Sequence, residues 1–78
     1  MTVKEIADAA DVIIDGYAVE LLDRGVRITN LHDLDHVTFV SPKGKVLETT
    51  MDDIELHIAM KYYGSAMSYV EDDDAKEL

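Results

Sequence analysis

Apolar residues recur at steps of three and four along the first part of the chain, at Val3, Ile6, Ala10, Ile13, Tyr17 and Leu21, while Lys4, Asp8, Asp11 and Asp15 occupy another face. Thr2 and Glu5 fit a capping box, in which the threonine hydroxyl accepts from the backbone three residues on and the glutamate reaches back. The spacing predicts an amphipathic helix of roughly twenty residues. Gly25, after "ELLDR", suits the left-handed position that ends helices, so this helix is expected to stop near Arg24. One competing pattern lies inside it. Asp15-Gly16 is also a good hairpin turn, which would join "VII" to "YAVELL" as two strands rich in β-formers.

From Val26 the pattern changes to alternation. Val26 to Leu31, His36 to Val40 and Lys45 to Thr49 read as three strands of an antiparallel meander, with "SPKG" at 41–44 turning the last two. Thr50 and Asp53 mark a second helix start, with Asp52, Asp53 and Glu55 near the positive end of its dipole. Leu56, Met60, Tyr63, Met67 and Val70 form its apolar stripe, and Ile54, Ile58, Tyr62 and Tyr69 widen it beyond what one packing face needs. The expected fold is α+β: a small α-β-β-β-α domain over residues 1–70, with a three-stranded antiparallel sheet packed by two helices. The acidic tail, residues 71–78, is expected to be frayed or disordered, because like charges at a helix C-terminus oppose both the dipole and one another.

Composition limits what such a domain can be. At 78 residues the chain supports one thin core, and with no cysteine it has neither a disulfide nor a thiolate zinc site to reinforce it. Oligomerisation is the natural supplement, and a homodimer is a candidate state. No apolar run reaches membrane-spanning length and no signal peptide is evident, so a cytoplasmic protein without a membrane partner is expected. Seventeen acids against seven bases give a net charge of −10, which argues against direct nucleic-acid binding and favours a partner with a basic surface. Arg24, Arg27, Lys43 and Lys45 suggest that one end is less negative than the rest.

Three groups of residues invite a chemical reading. "HDLDH" places His32, Asp33, Asp35 and His36 together, and imidazole with carboxylate suits a transition metal. In a loop, however, a four-residue spacing gives His32 and His36 no common face, and the aspartates are good turn formers. A third ligand would have to come from an aspartate or from His57. The same "HD" lacks the further ligands of HD-type phosphohydrolases, and a calcium loop counted from Asp33 puts Val37 at a ligand position. Nucleophilic motifs and glycine-rich phosphate loops are absent, so no catalytic residue, enzyme activity or cofactor is expected.

The second helix offers a possible self-association surface at Met60, Tyr63, Gly64, Met67 and Ser68, where Gly64 and Ser68 form a small-x-x-x-small pair. Packing within the domain is the competing explanation. Lastly, Asp8, Asp11, Asp15, Glu20 and Asp23 would form a negative stripe on the first helix, able to imitate a phosphate backbone and occupy a basic groove. A solvated helix face is its plainer meaning. Small size, acidity, missing catalytic motifs and a potential dimer surface are similar in style to phage-encoded inhibitors of the anti-CRISPR and anti-restriction kind. The expected function is thus a small acidic inhibitor or modulator docking on a basic, nucleic-acid-binding protein. The alternatives are a homodimeric structural or adaptor domain, and a metal-binding domain using the histidine-aspartate cluster.

Overall fold

The structure, a computed structural model, describes the backbone of residues 2–77 and the side chains of residues 2–68. Its elements run α1 (Val3–Ala9), β1 (Val12–Ile14), β2 (Tyr17–Leu22), β3 (Gly25–Asn30), β4 (Val37–Val40), β5 (Val46–Thr49) and α2 (Asp53–Glu77). All five strands lie in one antiparallel sheet, in chain order. The α+β class and the two helices agree with the sequence expectation, but the sheet has five strands where three were expected.

The difference lies in residues 10–24. The capping box forms, with Thr2 Oγ1 accepting from Glu5 N–H and Glu5 Oε1 accepting from Thr2 N–H. The helix nevertheless ends at Ala9, because Ala10 is extended and the chain enters a β-hairpin. Asp15 and Gly16 both have positive φ, 51° and 83°, as a two-residue turn of type I′ requires. The turn option therefore prevails over the helical period. Gly25 is likewise a β residue: at φ 143° it opens β3, and an added Cβ would stand 2.1 Å from the Val40 carbonyl oxygen. It provides close approach between strands, not a helix cap.

The three expected strands recur as β3, β4 and β5 with small changes at their ends. Ser41–Gly44 makes the expected turn, closed by Gly44 N–H donating to Ser41 O. A bulge beside Phe39 and Val40 leaves Leu47 without a cross-strand partner.

Alternation gives the sheet two unlike faces. One carries Val19, Ile28, Val26, Val40 and Thr38, all buried, and α2 lies across it on the buried alanines Ala59 and Ala66. Small side chains bring helix and sheet close there, while Leu56, Met60, Tyr63 and Met67 pack around them half-buried. The Thr38 hydroxyl is satisfied by Thr49 and by the sulfur of buried Met51. Among the described residues, the other face is covered by the seven-residue α1 alone, whose one buried residue is Ile6, and Ala18 and Thr29 are buried on that face. Residues 71–78, expected to fray, have side chains outside the described set.

Candidate functional site

Chain direction brings the two kinds of charge to opposite ends of the sheet. The β2–β3 and β4–β5 turns share one end, where Arg24, Lys43 and Lys45 stand with one acid in the turns themselves, Asp23, and with Glu48 near Arg24 on β5. The opposite end gathers the β1–β2 turn, the β3–β4 loop and the start of α2, with Asp15, Asp33, Asp35, Asp52, Asp53 and Glu55 and no lysine or arginine within those segments. This polarity is the main electrostatic feature of the described residues.

Within the acidic end, Glu55 is a hub. Its Oε2 accepts from the Tyr17 hydroxyl at 3.0 Å and from Asn30 Nδ2 at 2.8 Å, and its Oε1 lies 2.6 Å from His36 Nδ1. The other ring nitrogen of His36 is 3.3 Å from Asp33 Oδ2. Tyr17 and Asn30 are cross-strand partners, and Asn30 N–H donates to His36 O, so three neighbouring chain segments aim at one helix residue. Helix geometry presents that residue. The helix is capped by Asp52, whose Oδ1 accepts from Glu55 N–H at 2.7 Å, rather than from Thr50 as expected. Thr50 instead joins the β4 side, accepting from Val37 N–H and donating to Asp35 O.

These contacts set the charge states. Burial opposes ionisation of Glu55, but the hydrogen bonds from Asn30, His36 and Tyr17 outweigh it and hold its carboxyl below the usual range. Burial, then the bond to Glu55, pushes the Tyr17 hydroxyl up to about 12. The Glu55 contact raises His36, with Asp33 and Asp52 adding to the effect despite some desolvation. Tyr62 is raised by its 2.5 Å hydrogen bond to Asp15 Oδ2. The hub is a structural clamp between sheet and helix: Glu55 is occupied by three donors, and an imidazole held between carboxylates favours its cationic form.

That arrangement gives His36 partners other than a metal. A metal needs a neutral imidazole with a free lone pair, whereas His36 directs both ring nitrogens to carboxylates. His32 turns elsewhere: its Cδ2 and Nε2 lie 3.0 Å from where a Cβ on Gly16 would stand. His57 is exposed on α2. Among the described residues, no group of three or more metal-ligating side chains is assembled.

The proposed acidic stripe is not one helix face. Asp8 lies exposed on α1, Asp11 precedes β1 and accepts from Leu21 N–H at 2.7 Å, and Asp15 is in the hairpin turn. Glu20 is on β2, paired with Arg27 across to β3, and Asp23 sits at the basic end. Because the helix stops at Ala9, its periodicity cannot align them. Of the five, only Asp15 reaches the acidic end.

On α2, Met60, Tyr63 and Met67 are turned into the domain's own core. Gly64 and Ser68 are exposed, and an added Cβ at Gly64 would meet nothing within 4 Å. The close packing is made by Ala59 and Ala66 instead. Ile54 and Ile58 remain exposed on the helix. Two depressions of about 360 Å³ each flank Phe39. One runs beside α1 between Ile6, Leu34 and Val37, and the other lies at the basic end by Leu22, Arg24 and Leu47. Both are shallow and open along the sheet.

Residues 1–70 match the profile of a family of unknown function, DUF7723, and the chain belongs to that family. No curated protein and no solved structure matches it. No helix among the described residues is long and apolar enough to cross a membrane.

Proposed function

We propose that this chain is a small, non-catalytic protein-binding domain that acts in the cytoplasm as an inhibitor or modulator of a basic, nucleic-acid-binding protein, in the style of phage anti-CRISPR or anti-restriction proteins. The observation that supports this reading is the segregation of charge. Asp33, Asp35, Asp52 and Asp53 lie at one end of the sheet without a lysine or arginine among them. Acids fixed on a rigid scaffold attract a basic groove at long range and resist collapse onto it. The Glu55 clamp contributes that rigidity by tying the β3–β4 loop to the start of α2.

This surface replaces the single-helix stripe. Asp15 belongs to both, whereas Asp8, Asp11, Glu20 and Asp23 are placed elsewhere. Affinity capture from the native host, repeated with Asp33→Lys/Asp35→Lys and with Asp8→Lys, tests the reading. A basic nucleic-acid-binding protein should be retained by wild type and Asp8→Lys, released by the double variant, and bound less tightly as salt rises. Binding that ignores both salt and the double reversal would refute it.

A homodimeric structural or adaptor domain is the second reading, favoured by the incompletely covered sheet face. In that case acidity serves solubility, and the chain's contacts would show little salt dependence. The metal reading is not carried forward, because the ring nitrogens of His36 are already directed to Glu55 and Asp33.

A further inference from the structure

The sheet face opposite α2 is unusual for so small a domain. A single short helix rests on it, leaving Ile13 50% and Leu22 39% exposed beside half-buried Val37 and Phe39. Neighbours of these residues on the same face include Glu20 and Arg27, which pair and cancel each other. A second copy of a strongly acidic chain is repelled by most of the surface of the first. On this face that pair lowers the repulsion, and the remaining acid, Glu48 opposite Phe39, lies in the same depression as Arg24.

Charge also selects an orientation. Arg24 borders the face at the basic end, and Asp35 borders it at the acidic end. Two copies packed face to face about a two-fold axis perpendicular to the strands would place each Arg24 end over the Asp35 end of the other. An axis parallel to the strands would instead oppose like ends. Beside the depression α1 stands as a ridge, so a symmetric pair can seat ridge against depression in both directions, as an isologous interface requires.

We infer that the open sheet face docks a second copy of this chain, in an antiparallel, two-fold arrangement that pairs Arg24 of each copy with the acidic end of the other. This is a different surface from the helix-two stripe, whose Met60, Tyr63 and Met67 are engaged in the domain's own core. It shares Asp35 with the proposed acidic docking end, but its test reads self-association of the chain alone, with no basic partner present. Asp52 and Asp53 lie on the helix side of the acidic end and stay outside the pairing.

Sedimentation equilibrium of the full chain, from micromolar to millimolar concentration, tests the inference. Wild type should form dimers, and Leu22→Asp together with Ile13→Lys should weaken them by about tenfold or more. Both positions are already exposed in one copy, so circular dichroism should show an unchanged fold. Arg24→Glu and Asp35→Arg should each weaken the dimer, and their combination should restore it. Ile58→Asp, on the other side of the molecule, should leave it unchanged. A wild-type chain that stays monomeric at every concentration would overturn the inference, as would a charge-swapped double variant no stronger than the single ones.

Discussion

The two faces of the sheet are built from alternate residues of the same strands, yet they do different work. Toward α2 stand Val19, Ile28 and Val40, which are fully buried, and toward the other side stand Ile13, Leu22 and Phe39, which are not. A single strand supplies both: in β3, Val26 and Ile28 pack under the helix while Arg27 reaches across to Glu20. Alternation thus concentrates most of the apolar burial on one face, while on the other the exposed positions Ile13 and Leu22, outside the buried Ala18 and Thr29, can change with little penalty. In a domain this small, that separation allows a surface to be apolar without being part of the core.

The largest test of the contrast is a matched pair of truncations. Ile28→Ala on the covered face should cost about 2–5 kcal/mol in urea denaturation, whereas Leu22→Ala on the open face should cost about 0.5 kcal/mol or less in the monomer. Equal losses would mean that the open face is a second core. Next in size is the clamp that closes the covered face at its acidic end. Glu55→Ala leaves the Tyr17 hydroxyl and Asn30 amide without their acceptor, and should cost about 1–3 kcal/mol. Thermal melts of Glu55→Ala and Tyr17→Phe, compared with the double variant, would show whether the bonds act as a unit.

A smaller change of opposite sign is expected on the outer side of α2. An added methyl at Gly64 meets no neighbour, so Gly64→Ala should stabilise by about 0.4–1 kcal/mol through reduced freedom of the unfolded chain. A loss instead would show that Gly64 faces a partner. The smallest effect is the pH response of His36, which is screened because the side chain is 40% exposed. Its pKa is raised above 6.5, so the stability that its carboxylate partners provide is fully present below about 6.5 and is lost as pH rises through the folded value. Urea titrations above and below that range should show this fall in wild type and not in His36→Gln. Glu55, held below 4.5, gives the opposite trend in acid: its contribution is present above 4.5 and lost as pH falls through the lowered value.

The elements from Val26 to Thr49 were legible because alternation and the "SPKG" turn agree, and no competing period runs through them. Residues 10–24 were not, because a spacing of four satisfies a helix turn and two steps of a strand alike. Tyr17 and Leu21 therefore fit both patterns. What decided the outcome was the Asp15-Gly16 turn together with the β-branched run Val12-Ile13-Ile14, cues weaker than the long helical stripe. The second helix was correctly placed, but its cap shifted from Thr50 to Asp52 once Thr50 bonded across to β4.

The site was less legible still. Glu55 looks like an ordinary acidic residue near a helix start, and its partners His36, Asn30 and Tyr17 are 19, 25 and 38 residues away. The helical period claims Tyr17 for a helix, so nothing in its spacing directs it toward Glu55. The histidine-aspartate cluster was a real concentration of polar groups, but only His36 and Asp33 meet, and a helix carboxylate completes their contacts. Acidity was legible in total and not in place, since only the order of turns determines which carboxylates gather at one end.

That same order of turns bears on how the chain reaches its native state. Every strand pairs with its immediate neighbour in the chain, so β1 to β5 can assemble by successive hairpins, each closing a short loop before the next begins. No strand has to wait for a distant segment to slot between two others. The long-range step is the arrival of α2, which buries the apolar face and locks Glu55 onto three segments already in position. The helix is therefore expected to act as the closing element of folding, and substitutions at Ala59 or Ala66 should speed unfolding more than they slow the formation of the sheet.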